Sequence, residues 1–189
     1  VTLNASSANI TVGLIGDETA NEINTVALTS ATILLNGDIL TSDAAGNTVT
    51  LTGAATLGAG VSINTDETTN DGTVSFTSSV DSSSATDRAL TIASGTGDIS
   101  ISGAIGATND LASLTITGND ITVANIGNGG AGVTGTTSVT STDNGDAGTL
   151  TLSGTVYKTN AATYAGGATG GISITGASSA FTTTADNIT

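Results

Sequence analysis

The sequence of 189 residues contains no cysteine, histidine, methionine, tryptophan or proline, and it has two basic residues against 16 acidic ones. Without histidine and cysteine, the chain cannot form a Ser-His-Asp triad, a thiolate nucleophile or an ordinary zinc or copper site. A formal net charge of −14 provides nothing to neutralise a phosphate backbone, so no nucleic-acid partner is expected. The lack of cysteine also excludes the disulfide framework of a small secreted scaffold.

Long apolar segments are absent as well. No run approaches the roughly 20 apolar residues of a membrane helix, and no basic segment followed by an apolar stretch opens the chain, so membrane insertion is not expected. Only 10% of the residues are charged and the mean hydropathy is +0.24, which separates this chain from acidic disordered sequences. The sequence therefore predicts a folded chain whose core consists of Val, Ile, Leu and Ala.

Apolar residues alternate with Thr or Ser over most of the chain, and clusters of Gly, Asn, Asp and Ser separate the alternating segments. This period of two is typical of half-buried strands, because β-branched polar residues suit the outer side of a pleated sheet. No segment predicts a helix. The predicted strands are residues 25–29, 48–52, 73–77, 98–102, 113–117, 149–153 and 171–175.

The apolar pattern also recurs over a longer distance. A shift of 89 aligns Val1, Leu3, Ile10 and Val12 with Leu90, Ile92, Ile99 and Ile101, and later pairs drift to shifts of 88, 101 and 98. These alignments predict two diverged copies, residues 1–89 and 90–189, that are continuous in one solenoid. Because the last residues read into the first ones as one strand, we interpret the sequence as an excised segment of a longer repetitive chain.

Two all-β architectures fit the pattern. One is a parallel β-helix, or β-solenoid, of about 7 to 9 turns, and the other is a pair of immunoglobulin-like sandwiches, each about 90 to 100 residues long. A sandwich usually places a large aromatic residue between its sheets and uses proline in its connections. A narrow aliphatic interior with Gly and Asn at tight corners suits this composition better, so the β-helix is the predicted fold.

Residues 89–106, continuing through 111–116, resemble the repeats of filamentous-haemagglutinin-like bacterial surface proteins. The similarity is clearest over residues 89–127 and weaker over residues 1–39. Members of that family are very long secreted or cell-surface β-helical proteins rich in Thr, Gly, Asn and Ala. The resemblance implies a stalk-like segment, and the secretion and carbohydrate-recognition modules of the family are not visible in this sequence.

Acidic loops are the only candidate ligand sites. Asp66 and Glu67 lie near further oxygen-bearing side chains, namely Asn64, Thr68, Asn70 and Asp71. The EF-hand spacing fails, since Asp71 occupies the position where that loop needs glycine. The segments 143–146 and 127–132 likewise lack a complete ligand set. We interpret these loops as solvated turns, with weakly bound calcium as the alternative, and expect no cofactor, no metal-binding residue and no catalytic residue.

Enzymatic and binding functions have less support than a structural one. Polysaccharide-active sites need basic residues and exposed aromatics beside paired carboxylates, but Arg88 and Lys158 are the only bases and belong to no motif. Lys158 is interpreted as a surface charge rather than as an isopeptide donor. Rows of Thr-x-Thr suggest ice binding, but the loops vary in length and the outward positions mix Thr with Ser, Ala and Asp, so β-propensity explains the rows better.

The predicted function is that of a structural stalk or filament segment in a bacterial extracellular or cell-surface protein, with an adhesin or matrix role and no enzymatic activity. The alternatives are an adhesin module for carbohydrate or ice, and a calcium-dependent immunoglobulin-like array. Expected partners are further copies stacked end to end or the continuation of a giant chain, with surface glycans as another candidate. The side chains predicted to face the interior are Val26, Leu28, Leu114, Ile116, Leu150, Leu152, Ile172 and Ile174.

Overall fold

The computed structural model describes residues 1–16, 23–84, 86–128, 130–144 and 146–183. These residues form 17 strands and no helix, and every pair of neighbouring strands is parallel. The predicted all-β parallel β-helix is therefore confirmed. The alternative of two immunoglobulin-like sandwiches is wrong, because the strands of a sandwich pair in antiparallel fashion.

The strands are short, and most alternate between inward and outward side chains. Their bounds are β1 (Thr2–Asn4), β2 (Asn9–Val12), β3 (Thr25–Leu35), β4 (Ile39–Leu40), β5 (Thr48–Leu57), β6 (Val61–Asn64), β7 (Thr73–Phe76), β8 (Val80–Ser82), β9 (Arg88–Ala93), β10 (Ile99–Ile101), β11 (Leu111–Gly118), β12 (Ile121–Val123), β13 (Val133–Ser141), β14 (Thr149–Leu152), β15 (Val156–Ala165), β16 (Gly171–Ile174) and β17 (Ala180–Thr183).

Three faces enclose the interior. Face 1 consists of β1, the first halves of β3 and β5, and then β7, β10, β12, β14 and β16. Face 2 consists of β2, the second halves of β3 and β5, β8, single bridges through Ile105 and Ile126, the start of β15, and β17. Face 3 begins at a bridge through Ile15 and continues with β4, β6, β9, β11, β13 and the rest of β15. Eight successive rungs on face 1 correspond to about seven turns.

Each face carries continuous columns of apolar side chains. On face 1, successive members of one column lie 22 to 29 residues apart, so differences in loop length are absorbed outside this face. Similar columns run along faces 2 and 3 and meet in one interior. The residues of the face 1 column are Val26, Val49, Val74, Ile99, Ile121, Leu150 and Ile172.

The corner between faces 1 and 2 depends on glycine in the third turn. The pairing of β3 with β5 shifts register between Thr29 and Thr32, where both strands bend. Gly53 lies in this bend with a φ of +129°, and a Cβ at this position would overlap the carbonyl oxygen of Ser30 in the preceding turn. Only glycine allows the two backbones to approach so closely in this conformation.

Six of the eight side chains predicted to be internal are buried, namely Val26, Leu28, Leu114, Ile116, Leu150 and Leu152. Ile172 and Ile174 face inward as predicted but are not buried, and they are 48% and 55% exposed. Both belong to inward-facing columns, because Leu150 pairs with Ile172 and Leu152 with Ile174. They are exposed because β16 is the last rung of face 1 in the described ranges, so no described strand covers it.

Strands β13 and β15 were not predicted, because polar residues occupy some of their inward positions. Thr137 and Thr159 are buried in adjacent turns, and their hydroxyl oxygens lie 2.8 Å apart in a hydrogen bond. Thr159 also donates to the carbonyl of Ala161. A buried pair of threonines removes the apolar alternation on which a sequence-based prediction depends.

The solenoid is continuous across residue 89, because β9 spans this position and pairs with both β6 and β11. Residues that match at a shift of 88 or 89 lie on different faces: Val26 is on face 1 and Leu114 on face 3. Val49 and Leu150, which match at 101, share face 1. The repeating unit of the structure is the turn, and the division into copies 1–89 and 90–189 stays a prediction.

Candidate functional site

The acidic residues concentrate at one edge of the solenoid, where the chain passes from face 3 to face 1. We call this edge the 3–1 corner, and its described residues are 41–48, 65–73, 94–98, 119–120, 142–144, 146–148 and 166–170. Faces 1 and 3 on either side present mainly Thr, Ser and Ala outward. Eight of the acidic residues that the structure describes lie at this corner: Asp43, Asp66, Glu67, Asp71, Asp98, Asp120, Asp143 and Asp146.

Beneath this surface, buried hydroxyl groups close the corner. Thr65 donates to the Gly72 carbonyl at 2.6 Å, and Ser94 donates to the Gly97 carbonyl at 2.7 Å. Both side chains are fully buried, and they occupy successive rungs of the same column. Each hydroxyl is thereby paired in the interior, where an unpaired polar group would be costly, and the Gly97 carbonyl also accepts from the Asn119 backbone N–H of the next turn at 3.0 Å.

Aspartates bind successive turns to one another in the middle of the solenoid. Asp43 accepts from the Asn70 backbone N–H at 2.7 Å, Asp71 from that of Thr96 at 2.7 Å, and Asp120 from that of Thr149 at 2.8 Å. In every case the carboxylate belongs to the earlier turn and the N–H to the later one. We call this set the inter-turn aspartates: Asp38, Asp43, Asp71, Asp81, Asp98, Asp110, Asp120 and Asp143.

Hydrogen bonding stabilises the ionised form of two of these aspartates. Desolvation, the largest single influence, would raise the pKa of Asp43, but hydrogen bonds from Asn70 and Thr69 outweigh it and hold that pKa below 3.8. The pKa of Asp143 is likewise lowered, because bonds from Thr169 and Gly148 outweigh desolvation. Charge-assisted hydrogen bonds to backbone N–H groups are stronger than neutral ones.

This geometry predicts a pH dependence that can be isolated by substitution. A carboxyl group whose pKa is lowered on folding stabilises the fold above its ordinary pKa, and the contribution disappears as the pH falls through the lowered value. We expect Asp143→Asn to lower the melting temperature at pH 7, and the difference from the wild type to shrink as the pH is lowered below 3.8 toward pH 2. Thermal melts followed by circular dichroism at both pH values would measure it.

The control is Asp66→Asn, which removes the same charge from an exposed residue of the same corner. It should leave the melting temperature at pH 7 almost unchanged. If the Asp143→Asn difference persisted at pH 2, the ionised carboxylate would not be its cause.

In the acidic loop at residues 64–71, side-chain oxygens that could bind calcium accept hydrogen bonds from backbone N–H groups instead. Asn64 accepts from the Asp66 N–H at 3.0 Å, and Asp71 accepts from the Glu67 N–H at 2.7 Å. Asp143, in the second acidic segment, accepts from Gly148 and Thr169. Within the described ranges, no group of three or more acidic side chains is arranged to hold a metal ion.

In the glycine-rich segment 127–132, the described residues 127–128 and 130–132 lie at the end of face 2. Asn128 accepts from the N–H groups of Gly130 and Ala131 and donates to the carbonyl of Ala107. The Lys158 ammonium donates to the Gly130 carbonyl. These bonds connect three successive turns, so Lys158 contributes to the structure beyond supplying surface charge.

The outward side of face 1 presents a column of small polar residues in register. The expectation that variable loops would disturb the Thr-x-Thr rows is wrong for this face, because its register is unbroken over eight rungs. Hydroxyls do not fill the column completely, since alanine occupies one of its positions. Its members are Thr2, Ala27, Thr50, Ser75, Ser100, Thr122, Thr151 and Ser173.

Both ends of the solenoid expose apolar side chains. In the described part of the chain, every large exposed hydrophobic side chain lies in the first or last turn: Val1, Leu3, Leu14, Ile172 and Ile174. Residues 1–16 and 159–183 contain no acidic or basic side chain. The described part of each end therefore exposes apolar side chains and carries no acidic or basic side chain, whereas the 3–1 corner between them is acidic.

An aromatic cluster fills the interior near the C-terminal end. The Tyr157 and Phe181 rings stack with centroids 4.8 Å apart, and Tyr164 contacts both rings edge-on. Tyr157 and Tyr164 are buried, and burial raises the pKa of each phenol. The sequence does not predict this cluster, because Tyr157 and Tyr164 lie in β15, whose alternation polar residues interrupt.

Comparisons with known proteins assign this chain to no family. No protein-family model, curated protein or solved structure matches the chain. The resemblance of residues 89–127 to filamentous-haemagglutinin-like proteins accordingly stays a prediction from the sequence. In the part of the chain that the structure describes, no helix is long and apolar enough to cross a membrane.

Proposed function

We propose that this chain is a structural segment of a stalk or filament in a bacterial extracellular or cell-surface protein, with an adhesin or matrix role rather than a catalytic one. The observation that supports it most is the direction of the bonding. Backbone ladders on the three faces and the inter-turn aspartates all connect one turn to the next, along the long axis.

Hydrogen bonds between successive turns make the solenoid stiff along its long axis. Each turn contacts only its neighbours, so turns add length without changing the cross-section. Strands in adjacent turns are about 4.8 Å apart, so seven spacings extend the axis by roughly 34 Å. The 3–1 corner keeps the sides of such rods apart through repulsion between acidic residues. The rod would extend through further copies or through a longer chain, and surface glycans are candidate adhesion targets.

Immunogold electron microscopy of intact cells of the source organism tests the proposal. Antibodies raised against the folded chain should label fibres or matrix outside the cell without permeabilisation. Labelling confined to permeabilised cells would contradict an extracellular structural role. Preimmune serum provides the control for adsorption of gold particles to the surface.

A further inference from the structure

We propose that Asn36 is a site of spontaneous deamidation, in which the backbone nitrogen of Gly37 attacks the amide side chain and converts it to a carboxyl group. An Asn-Gly pair favours this reaction, because glycine has no side chain to hinder the attack. The pair occurs at 36–37, 128–129 and 144–145. Of these three, the structure describes both residues only at 36–37.

The reaction needs water as its only co-reactant. The Gly37 nitrogen bonds to Cγ of Asn36, the bond from Cγ to Nδ2 breaks, and Nδ2 leaves as ammonia with the proton from Gly37. Water then opens the resulting five-membered ring at one of its two carbonyl carbons. Opening at Cγ gives aspartate, whereas opening at the backbone carbonyl carbon gives isoaspartate, whose main chain runs through Cβ.

The attacking nitrogen is free of the strand ladder. Among the described residues the Gly37 N–H has no hydrogen-bond partner, although the groups on either side of it are paired. The Asn36 N–H donates to the Val12 carbonyl at 2.8 Å, and the Asp38 carbonyl accepts from the Ile15 N–H at 2.9 Å. Attack by the Gly37 nitrogen therefore breaks no hydrogen bond of its own.

The amide under attack is free as well. Asn36 is exposed, and its side chain forms no hydrogen bond within the described part of the chain. Its Oδ1 lies over Gly58 in the next turn, at the place that a Cβ of Gly58 would occupy. The amide is thus bordered on this side by a residue that has no side chain to hold it.

Hydrogen bonds oppose the same chemistry at two similar pairs. At Asp71-Gly72 the attacking group is occupied, since the Gly72 N–H donates to the Thr65 carbonyl at 3.0 Å. At Asn128 the amide is occupied: its oxygen accepts from two backbone N–H groups at 2.8 and 3.1 Å, and its nitrogen donates to a carbonyl at 2.6 Å. Ring closure at either pair must first break such bonds.

The corner between faces 2 and 3 has no room for the longer main chain of isoaspartate. A Cβ on Gly37 would lie 2.6 Å from the backbone nitrogen of Leu14, so the backbone of Gly37 packs directly on the preceding turn. The paired groups of Asn36 and Asp38 hold both sides of the site to that turn. An added backbone atom must disturb this packing, so we expect aged protein to melt at a lower temperature than fresh protein.

Peptide mapping after incubation in mildly alkaline buffer tests the site. Trypsin cleaves after Arg88 and Lys158, which places Asn36 in peptide 1–88 and Asn128 in peptide 89–158. Fragmentation in the mass spectrometer locates each change from amide to acid. In the folded protein, Asn36 should deamidate roughly tenfold faster than Asn128 or more, because the bonds at Asn128 must break first. In urea the two rates should be similar, since glycine follows both residues.

Asn36→Gln is the matched control, because its longer side chain would have to close a six-membered ring. The variant should show no change at position 36 and should keep more of its melting temperature on ageing than the wild type. Equal rates at Asn36 and Asn128 in the folded protein would overturn the proposal. So would an Asn36 that reacts in urea and stays intact in the folded protein.

Discussion

Replacing Leu114 with aspartate should lower the free energy of unfolding by about 3 kcal/mol or more. Leu114 is fully buried in the middle of face 3, where β11 pairs with β9 on one side and β13 on the other. An ionised carboxylate at this position has no partner and no access to water. The urea midpoint, followed by circular dichroism, should fall sharply.

The neighbouring residue provides the control. Thr115 points outward from the same strand and is exposed, so Thr115→Asp adds the same charge without burying it. We expect a change within about 0.5 kcal/mol, as for most surface substitutions. If both variants unfolded at the same urea concentration, the inward orientation of Leu114 would be contradicted.

Gly53→Ala should destabilise the fold by about 3 kcal/mol, although it adds a single methyl group. The substitution strains a backbone whose φ is +129°, and the new Cβ overlaps the Ser30 carbonyl oxygen of the preceding turn. The backbone must move to relieve this overlap, which weakens the pairing of β3 with β5. Thermal and urea unfolding would both report the loss.

Gly60→Ala is the matched substitution, because no atom lies within 4 Å of the Cβ position there. It should be neutral or stabilise the protein by up to about 1 kcal/mol through the entropy of the unfolded chain. A similar loss in both variants would indicate a general sensitivity to alanine and would contradict the role assigned to the bend at Gly53.

The candidate site was only partly visible in the sequence. The acidic loops at residues 64–71 and 143–146 stood out by composition, but their hydrogen-bond partners did not. Asp71 binds the backbone N–H of Thr96, and Asp120 binds that of Thr149, so the distances along the chain are 25 and 29 residues. Any residue type can supply a backbone N–H, and the number of residues between the aspartate and its partner changes with the length of each turn. The sequence alone therefore does not identify the partner.

The sequence by itself determined the strand character and the side of the sheet on which most residues lie. Alternation at period two decides which side chains can share a face, and this is why Val26, Leu28 and Leu114 were placed correctly. Absence of helix and the aliphatic interior followed from the same pattern. Strand character and side-chain direction depend on residues that are adjacent in the sequence, so they can be predicted without knowing which strand pairs with which.

Only the tertiary structure decided which rungs lie next to each other. Val26 and Leu114 occupy equivalent positions of the sequence repeat at a shift of 88, but they lie on different faces. The lengths of the loops at the corners decide which face each strand joins. The exposure of Ile174 depends on a missing neighbour rather than on its own strand, and the burial of Thr137 depends on Thr159 one turn away. Register, burial and end exposure are properties of the stack, since each requires a residue of another turn to be in place.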